Sequence, residues 1–241
     1  MSITFNITDW NAWTPGLSSQ ADWRKWAQNS ARLSPNCDTE DKPDVSEIPP
    51  MLRRRLTAQG KAALSVMLPL HNKYGPMPII YVSRHGETAR TVTMLTDIAN
   101  KELLSPTQFS LSVHNATAGL FSIQQKVTDN IVAIAAGDND VIPALLEAIG
   151  QFDDRTSNAL VVFCDEPLPE LYRHQVSSPT ALFAAAFIIS SGEGFELKHT
   201  QSNSLQASSL VQALELVAFA AGDGDNLILT CNNSNWLVSR V

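Results

Sequence analysis

Three short and uniformly apolar runs constrain the fold of this chain more than any other feature. They read MPIIYVS at 77–83, NIVAIAA at 130–136 and ALVVFC at 159–164. Strands with one solvated face alternate apolar and polar residues, whereas continuous apolar runs are typical of strands buried on both faces by helices. Segments with helical spacing separate these runs. We therefore expect an α/β fold, a layered sheet with helices on both faces.

The remaining segments fill in this pattern. Helical spacing predicts helices at 20–29, 51–72, 91–102, 116–127, 143–152 and 208–221. A short β-favouring stretch at 109–113 is predicted as a strand, and 226–231 with 236–241 is predicted as a hairpin. The segment ALFAAAFIIS at 181–190 fits either a strand or a helix by periodicity alone.

The two ends of the chain differ from its middle. Four of the five tryptophans lie in an N-terminal segment, 1–35, and a polar, proline-rich stretch at 36–50 is interpreted as a surface linker. We interpret residues 1–241 as a single domain that includes both, because 241 residues can bury one large core.

Composition excludes several classes of function. The net charge is −7, which argues against nucleic acid as a partner. No stretch approaches the roughly 18 apolar residues of a membrane span, and MSITFNITDW does not resemble a signal peptide, so we expect a soluble cytoplasmic protein. Cys37, Cys164 and Cys231 are odd in number and far apart, which favours reduced thiols over disulfides or a zinc site. No metal and no cofactor is expected.

Arg84-His85-Gly86-Glu87-Thr88 follows a predicted buried strand and resembles the signature of histidine phosphatases. In that family the histidine is phosphorylated and arginines neutralise the phosphoryl charge. The family also needs a second arginine and a second histidine further on. Here the next arginine after Arg90 is Arg155, in a polar loop, and His114 follows early. The alternative is a structural loop in which Gly86 permits a tight turn.

Two longer stretches resemble ketosynthases, the condensing enzymes of fatty-acid and polyketide synthesis. They read SPTQFSLSVHNATAGLFSI at 105–123 and NIVAIAAGDNDVIPALLEA at 130–148. The second is similar to the strand, elbow and helix that carry the family's nucleophile. AWTPG at 12–16, PPMLRRR at 49–55 and SRHGE at 83–87 resemble a branch of short proteins similar to the N-terminal half of a ketosynthase, many of them associated with aryl polyene pigments. The resemblance covers most of residues 5–190 and implies a truncated thiolase-like fold.

The position of the family's cysteine nucleophile is occupied by Asp138, next to Gly137, and no cysteine lies between Cys37 and Cys164. A ketosynthase needs a thiolate at this helix N-terminus to hold the acyl chain. An aspartate there is better suited to capping the helix, and Asp138, Asn139 or Asp140 could each satisfy its free N–H groups. The late histidines, His174 and His199, lie in polar surroundings and are interpreted as surface residues. We therefore expect no catalytic residue in this chain.

The resemblance then implies a chain-length factor, the inactive homologue that pairs with an active ketosynthase and helps to shape its acyl tunnel. In such pairs the strands that bear the elbows run antiparallel across the subunit boundary. The resemblance places these tunnel or interface residues in this chain: Gln108, Phe109, His114, Asn115, Phe121, Asn130, Val132, Ile134 and Ala136. For Phe109 and Phe121 plain core packing is an equal alternative, and a hydrogen-bonded structural role is favoured for His114.

The partners implied are an active ketosynthase, in a heterodimer, and an acyl carrier protein, transiently. Because an unpaired apolar strand promotes aggregation, we expect the isolated chain to be poorly soluble without its ketosynthase. A stand-alone module that binds an acyl carrier or another protein is a further alternative.

Overall fold

The computed structural model describes residues 2–29, 41–176, 178–200, 210–222, 224–231 and 234–241. Cys37, the first part of the predicted linker and the turn of the predicted hairpin lie outside the described residues. The strands are β1 Ser2–Trp13, β2 Ile79–Val82, β3 Ile131–Ile134, β4 Asn158–Asp165, β5 Phe183–Thr200, β6 Asn226–Cys231 and β7 Ser234–Arg240. The helices are α1 Gln20–Ala27, α2 Pro50–Arg53, α3 Ala58–Tyr74, α4 Thr88–Ala99, α5 Pro106–Ser110, α6 Ala116–Gln125, α7 Val141–Gly150 and α8 Gln212–Ala220.

All seven strands join one sheet in the order β3-β2-β4-β5-β7-β6, with β1 also paired to β5. The three apolar runs form its parallel part, in which β2 lies between β3 and β4, and Ile79 stands opposite both Ile131 and Leu160. Strand β5 is antiparallel to β4, β1 and β7. It pairs with β4 along its first half and with β7 along its second half, and this is why it is 18 residues long.

Helices cover both faces of the sheet, as the apolar runs predicted. On one face α3 packs against β1, β4 and β5, and α6 packs on α3. The other face is covered by α7, which contacts β2, β4 and β5, and by α8 with α1. Each face has its own cluster of buried side chains, centred on Phe163 and Phe187 in one case and on Met67 and Tyr81 in the other. The layered α/β fold is therefore confirmed.

The C-terminal segment covers the helix that follows the β3 turn. Helix α8 contacts both α7 and α1, and the β6–β7 hairpin extends the sheet along the second half of β5. Within α8, Gln212 donates from Nε2 to the carbonyl of Thr230 (2.7 Å) and to Oδ1 of Asn139 (3.1 Å). The segment predicted as a helix followed by a hairpin therefore encloses the turn after β3 from one side.

Three elements differ from their predictions. The helix predicted at 51–72 is broken into α2 and α3 by residues 54–57, because the side chain of Thr57 accepts from Gly60 N–H and starts a new helix. The strand predicted at 109–113 is wrong. Residues 106–110 form α5, since Ser105 caps the helix through Gln108 N–H and Pro106 suits its first turn.

Strand β1 was not predicted. Its register against β5 shifts between Phe5 and Asn6 and again between Ile7 and Asp9. Each shift interrupts the alternation of inward and outward side chains that marks a half-buried strand. Trp10, Trp13 and Trp23 of the tryptophan-rich segment are buried, so this segment belongs to the core.

Candidate functional site

Three loops meet at the carboxyl ends of β2, β3 and β4. Residues 83–88 follow β2, residues 135–140 follow β3, and Asp165 with Glu166 ends β4. Parallel neighbouring strands bring their carboxyl ends to the same edge of a sheet, and ligands of open α/β sheets bind outside that edge. We call these three loops the elbow cluster, and it contains Asp138, the predicted position of the family's nucleophile.

Asp165 holds the elbow cluster together. Its carboxylate accepts from the Ser83 hydroxyl at 2.8 Å and from the backbone N–H of Arg84 at 3.0 Å, with a longer contact of 3.4 Å from His85 N–H. Burial raises the pKa of Asp165, and these hydrogen bonds oppose that increase. The side chain thus fixes the β2–α4 loop to β4.

Arg84 extends this network to the turn after β3. Its guanidinium forms an ion pair with Asp138, whose side chain remains 60% exposed. Of the three residues predicted to cap the following helix, Asp140 is the N-cap residue of α7, although its side chain forms no capping hydrogen bond. The carboxylate of Asp138 pairs with the arginine of the neighbouring loop. Gly137 has φ +71°, a left-handed conformation that favours glycine, and so permits the sharp turn.

Asp140 is a buried carboxylate with an unusual environment. It is 4% exposed, and its Oδ1 accepts no hydrogen bond from any described residue. Burial, reinforced by the charge of Asp165 and opposed by Arg84, raises its pKa to about 7. Burial and the charges of Glu87 and Asp165 also raise the pKa of Glu166 to about 7. The elbow cluster therefore contains several carboxyl groups with too few positively charged neighbours for all of them to be ionised at neutral pH.

His114 has the structural role that was favoured for it. Its Nε2 lies 2.7 Å from the Ser83 carbonyl oxygen, and its ring packs edge-on against Tyr81. Gly86 has φ +57°, and a Cβ there would approach His114 Cδ2 to 2.9 Å. The loop 84–88 thus needs glycine at this point, as the structural interpretation of the RHGET sequence expected. With Arg84 paired to a carboxylate, the arrangement does not favour phosphoryl binding.

The other predicted tunnel or interface residues fall into two groups. Gln108, Phe109, Asn115 and Asn130 are exposed, Phe109 by 62%, and Arg90 donates to Oε1 of Gln108. Phe121 is fully buried in the core, where its ring packs against His71.

Val132, Ile134 and Ala136 are half-buried, which corrects the prediction that 130–136 is covered on both faces. Strand β3 ends the sheet and pairs only with β2. Ile79 N–H donates to the Asn130 carbonyl and Ser83 N–H donates to the Ile134 carbonyl. The backbone N–H and C=O groups of the even-numbered residues of β3 therefore point towards β2. The backbone groups of Ile131 and Ala133 therefore point to the open edge.

A second feature of the described residues is a set of exposed apolar side chains. Of twelve large apolar side chains that are exposed among the described residues, seven fall between residues 95 and 123. We call the following set the apolar surface: Leu95, Ile98, Leu103, Leu104, Phe109, Val113 and Ile123. Leu103 is 98% exposed and Ile123 is 78% exposed. A concentration of this kind marks an interaction site more often than chance exposure does.

The two described thiols and the histidines His174 and His199 are not part of the elbow cluster. Cys164 is fully buried, and burial raises its pKa well above the ordinary value. Cys231 is also buried, with a raised pKa, and both thiols are free. His174 and His199 are exposed, as predicted. The described ranges contain no group of three side chains that could hold a metal ion, and none of their helices is long and apolar enough to cross a membrane.

Sequence reasoning missed the roles of Asp165 and Ser83, which fix the β2–α4 loop, and it considered Asp140 only as a helix cap. A signal for them existed, because each lies at or just beyond the carboxyl end of an apolar run. Residues at that position in a parallel sheet share one edge, so their polar side chains could have been grouped from the sequence.

Asp140 gives a prediction about stability and pH. Its pKa is about 7 in the folded chain, against an ordinary value of 3.8. At pH values between these two, Asp140 is therefore protonated in the folded state and ionised in the unfolded state. Raising the pH through this window therefore destabilises the native protein, by up to about 4 kcal/mol from this group. Asp140→Asn keeps a neutral N-cap residue. We expect its unfolding midpoint in urea to exceed that of the wild type, with a difference that widens from pH 5 to 7 and then levels off.

The matched control is Asp129→Asn, which removes an exposed carboxylate in the loop before β3. It should leave the pH dependence unchanged. A difference between Asp140→Asn and wild type that stays constant from pH 5 to 8 would contradict the assignment.

Comparison with known proteins agrees with this arrangement. A family described as the N-terminal domain of beta-ketoacyl synthase matches residues 23–238. Among curated proteins no sequence matches the chain. Among solved structures, one match is a chain of the complex between the ketosynthase ApeO and its chain length factor ApeC from Xenorhabdus doucetiae. The two chains have a TM-score of 0.89 and 28% identity, over 99% of this chain and 100% of that one.

Two more distant structures share the fold. One is a complex of a type II polyketide synthase acyl-carrier protein with its ketosynthase, AntDE:AntF, with a TM-score of 0.68 and 9% identity over the full length of both chains. The other is a beta-ketoacyl synthase from Burkholderia phymatum, with a TM-score of 0.58 and 12% identity over 92% of this chain and 71% of that one. The fold is thiolase-like, and the chain belongs to the family of beta-ketoacyl synthase N-terminal domains.

Proposed function

We propose that the chain is the non-catalytic, chain-length-factor-like partner of an active ketosynthase and helps to shape the tunnel of the growing acyl chain. The observation that carries this proposal is the turn after β3, where Asp138, at the predicted nucleophile position, forms an ion pair with Arg84. The comparison with the ApeO–ApeC complex supports it, because that complex contains a ketosynthase and its chain length factor. Aryl polyene or related polyketide-type synthesis is the pathway we propose.

The chemistry of the elbow argues against condensation by this chain. A thiolate can take an acyl group from a thioester and pass it on, whereas a carboxylate would form a reactive anhydride instead of a stable, transferable intermediate. The thiols of Cys164 and Cys231 do not replace it, since burial raises the pKa of both and disfavours the thiolate. Cys37 lies outside the described residues.

The open edge of the sheet supports a partner that adds a strand. Strand β3 is only four residues long, and its half-buried side chains would lose their remaining contact with water if a second strand paired with Ala133 and Ile131. The apolar surface, on α4, α5, α6 and the loops between them, is a second feature that a partner could cover. Covering it would remove further apolar area from water, at roughly 25 cal/mol per Å². An active ketosynthase is the partner we propose for both features.

Phe109 is the side chain that we propose for the tunnel wall. It projects from α5, and this helix is held in place from behind by Arg90, which donates to Gln108 and to the Arg55 carbonyl oxygen. A rigidly placed aromatic ring at an interface can limit the length of an apolar cavity. Its fixed position blocks further extension of the cavity, and its apolar surface can still contact a hydrocarbon chain. Phe121, which belongs to the following helix α6, is buried in the core.

Blocking the open edge tests the pairing with a ketosynthase. Ala133→Pro removes an outward backbone donor without removing a hydrogen bond to β2. We expect this variant to lose co-purification with a co-expressed cysteine-bearing ketosynthase, whereas Ala133→Val, which keeps the donor, should still co-purify. Association of all three forms to the same extent, measured by size-exclusion chromatography of co-expressed proteins, would contradict the proposal. A wild-type chain that is a stable, monodisperse monomer beside its ketosynthase would favour a stand-alone module.

Acyl loading tests the absence of catalysis. When the complex is supplied with an acyl-carrier thioester, intact-mass spectrometry should find the added acyl mass on the ketosynthase and none on this chain. Replacing the ketosynthase cysteine by alanine should abolish loading of the whole complex. Acyl mass on this chain, under either condition, would overturn the non-catalytic assignment.

Product length tests the role of Phe109. Phe109→Ala removes most of an aromatic ring and should let longer products form in the reconstituted complex. Ile228→Ala is the matched control, because Ile228 is 52% exposed on β6, at the opposite edge of the sheet. We expect the control to leave the product distribution, measured by liquid chromatography with mass spectrometry, unchanged. An unchanged distribution for Phe109→Ala in an intact complex would exclude Phe109 from the tunnel wall.

A further inference from the structure

Helix α5 has almost no apolar attachment to the rest of the chain. Residues 101–110 are all exposed, and no residue of α5 is buried. Helix α4, which precedes them, buries only Met94. Short helices are not stable by themselves and are normally held in place by the burial of an apolar face. A different kind of contact must therefore fix α5 and the Phe109 side chain that it carries.

Arg90 makes this contact from the first turn of α4. Its side chain is only 11% exposed. Nη1 donates to Oε1 of Gln108 on α5, and Nη2 donates to the Arg55 carbonyl oxygen, in the connection between α2 and α3, at 3.0 Å. Nε lies 3.7 Å from Oε2 of Glu87. One guanidinium thus joins α5 to two separate parts of the chain.

Glu87 anchors the other end of this connection in the core. Its carboxylate is buried and accepts at Oε1 from the hydroxyls of Thr57 and Thr117, each at 3.3 Å. Thr57 is the N-cap residue of α3, and Thr117 lies in the first turn of α6. The two helices can approach this closely because Gly60 has no Cβ, and a Cβ there would come within 2.9 Å of Thr117 Oγ1. Two core helices therefore hold the carboxylate that Arg90 meets.

The ion pair of Glu87 with Arg90 adds little stability. Both side chains are largely removed from water, and their contact of 3.7 Å is longer than a hydrogen bond. Arg90 Nε has no hydrogen-bond partner among the described residues. A buried pair of this kind gains little over a well-packed apolar side chain, because desolvation offsets the attraction of the charges. What the guanidinium supplies is direction, since its planar donors bind their acceptors in a fixed geometry.

We propose that Arg90 is a positioning residue that fixes α5 on the core and thereby sets product length through Phe109. This inference rests on the proposed function, in which Phe109 bounds the acyl tunnel. A ring on a loosely attached helix yields to a growing hydrocarbon chain, whereas a ring on a helix held by Arg90 stops that chain at one length. Arg90 itself does not contact the acyl chain, so it influences product length only while the ring is present.

The test measures product lengths, by liquid chromatography with mass spectrometry, in the complex co-purified with the ketosynthase. Gln108→Met removes the acceptor on α5 while it keeps a side chain of similar size, so α5 loses its contact with Arg90. We expect the products of this variant to shift towards longer chains. Gln108→Glu keeps an acceptor for the guanidinium and should therefore retain the wild-type distribution. Because Gln108 is exposed, neither change should prevent folding.

A second pair of variants tests whether Arg90 acts through Phe109. Arg90→Met should shift the products in the same direction as Gln108→Met. In the double variant of Arg90→Met with Phe109→Ala, the distribution should equal that of Phe109→Ala alone, because the ring that Arg90 positions is gone. Thr93→Ala is the control on the same helix, since Thr93 is exposed and its hydroxyl donates to the Ala89 carbonyl within α4. It should leave product length unchanged.

The outcomes separate this inference from the proposed function. A wild-type distribution for Gln108→Met, an equal shift for Gln108→Glu, or additive effects of Arg90→Met and Phe109→Ala would each overturn the role of Arg90. If Phe109→Ala still gives longer products, the proposed function stands without that role. If Arg90→Met yields no folded complex, the two Gln108 variants decide the question. Failure of the wild-type chain to co-purify with the ketosynthase would reject the proposed function, and this inference with it.

Discussion

The buried carboxylate of Asp165 is the constraint on which the rest of the site depends. It ends β4, accepts from Ser83 and Arg84, and so fixes the loop that follows β2. Only because that backbone is fixed can the guanidinium of Arg84 reach Asp138 in the turn after β3. The conformation of the turn is thus set by contacts from two neighbouring strands, in addition to its own glycine. Burial is the main cause of the raised pKa of Asp140, and the charge of Asp165 adds to it, so the residue that fixes the loop also contributes to the pH sensitivity of the site.

The layered architecture could be predicted from the sequence because the three apolar runs each lie in a parallel strand. The degree of burial of 130–136 could not, since an apolar run does not reveal whether a strand is central or at an edge that another chain covers. The helix α5 was mistaken for a strand because a segment of five residues is too short to show a helical periodicity of apolar residues. Ser105-Pro106 was nevertheless a signal for the start of a helix. Strand β1 escaped notice because two register shifts break its alternation. Burial patterns that depend on neighbours distant in sequence are not encoded in local periodicity.

For the site, the sequence analysis assigned the nucleophile position to Asp138, and that assignment stays a prediction. The structure adds a contact that the sequence analysis did not anticipate, the ion pair of Asp138 with Arg84. Capping is a local interaction and can be anticipated from spacing, whereas Asp138 pairs with Arg84, 54 residues earlier in the chain. The RHGET sequence was noticed for a different reason, its likeness to a phosphatase signature. Its arginine and glycine have structural roles here, since Gly86 makes room for His114. A motif is informative about chemistry only when the partners it requires are also present in the fold.

The ion pair at the elbow also bears on the chemistry of the proposed partner. A thiolate nucleophile loses reactivity when an uncompensated negative charge lies nearby, because that charge raises the thiol pKa. If the two elbow-bearing strands meet across the subunit boundary, an isolated Asp138 would place such a charge near the partner's active centre. Arg84 balances it within this chain. If Asp138 occupies the position of the family's cysteine, as we propose, Arg84 and Asp138 are best regarded as one unit, because the arginine in the adjacent loop compensates the charge of the aspartate.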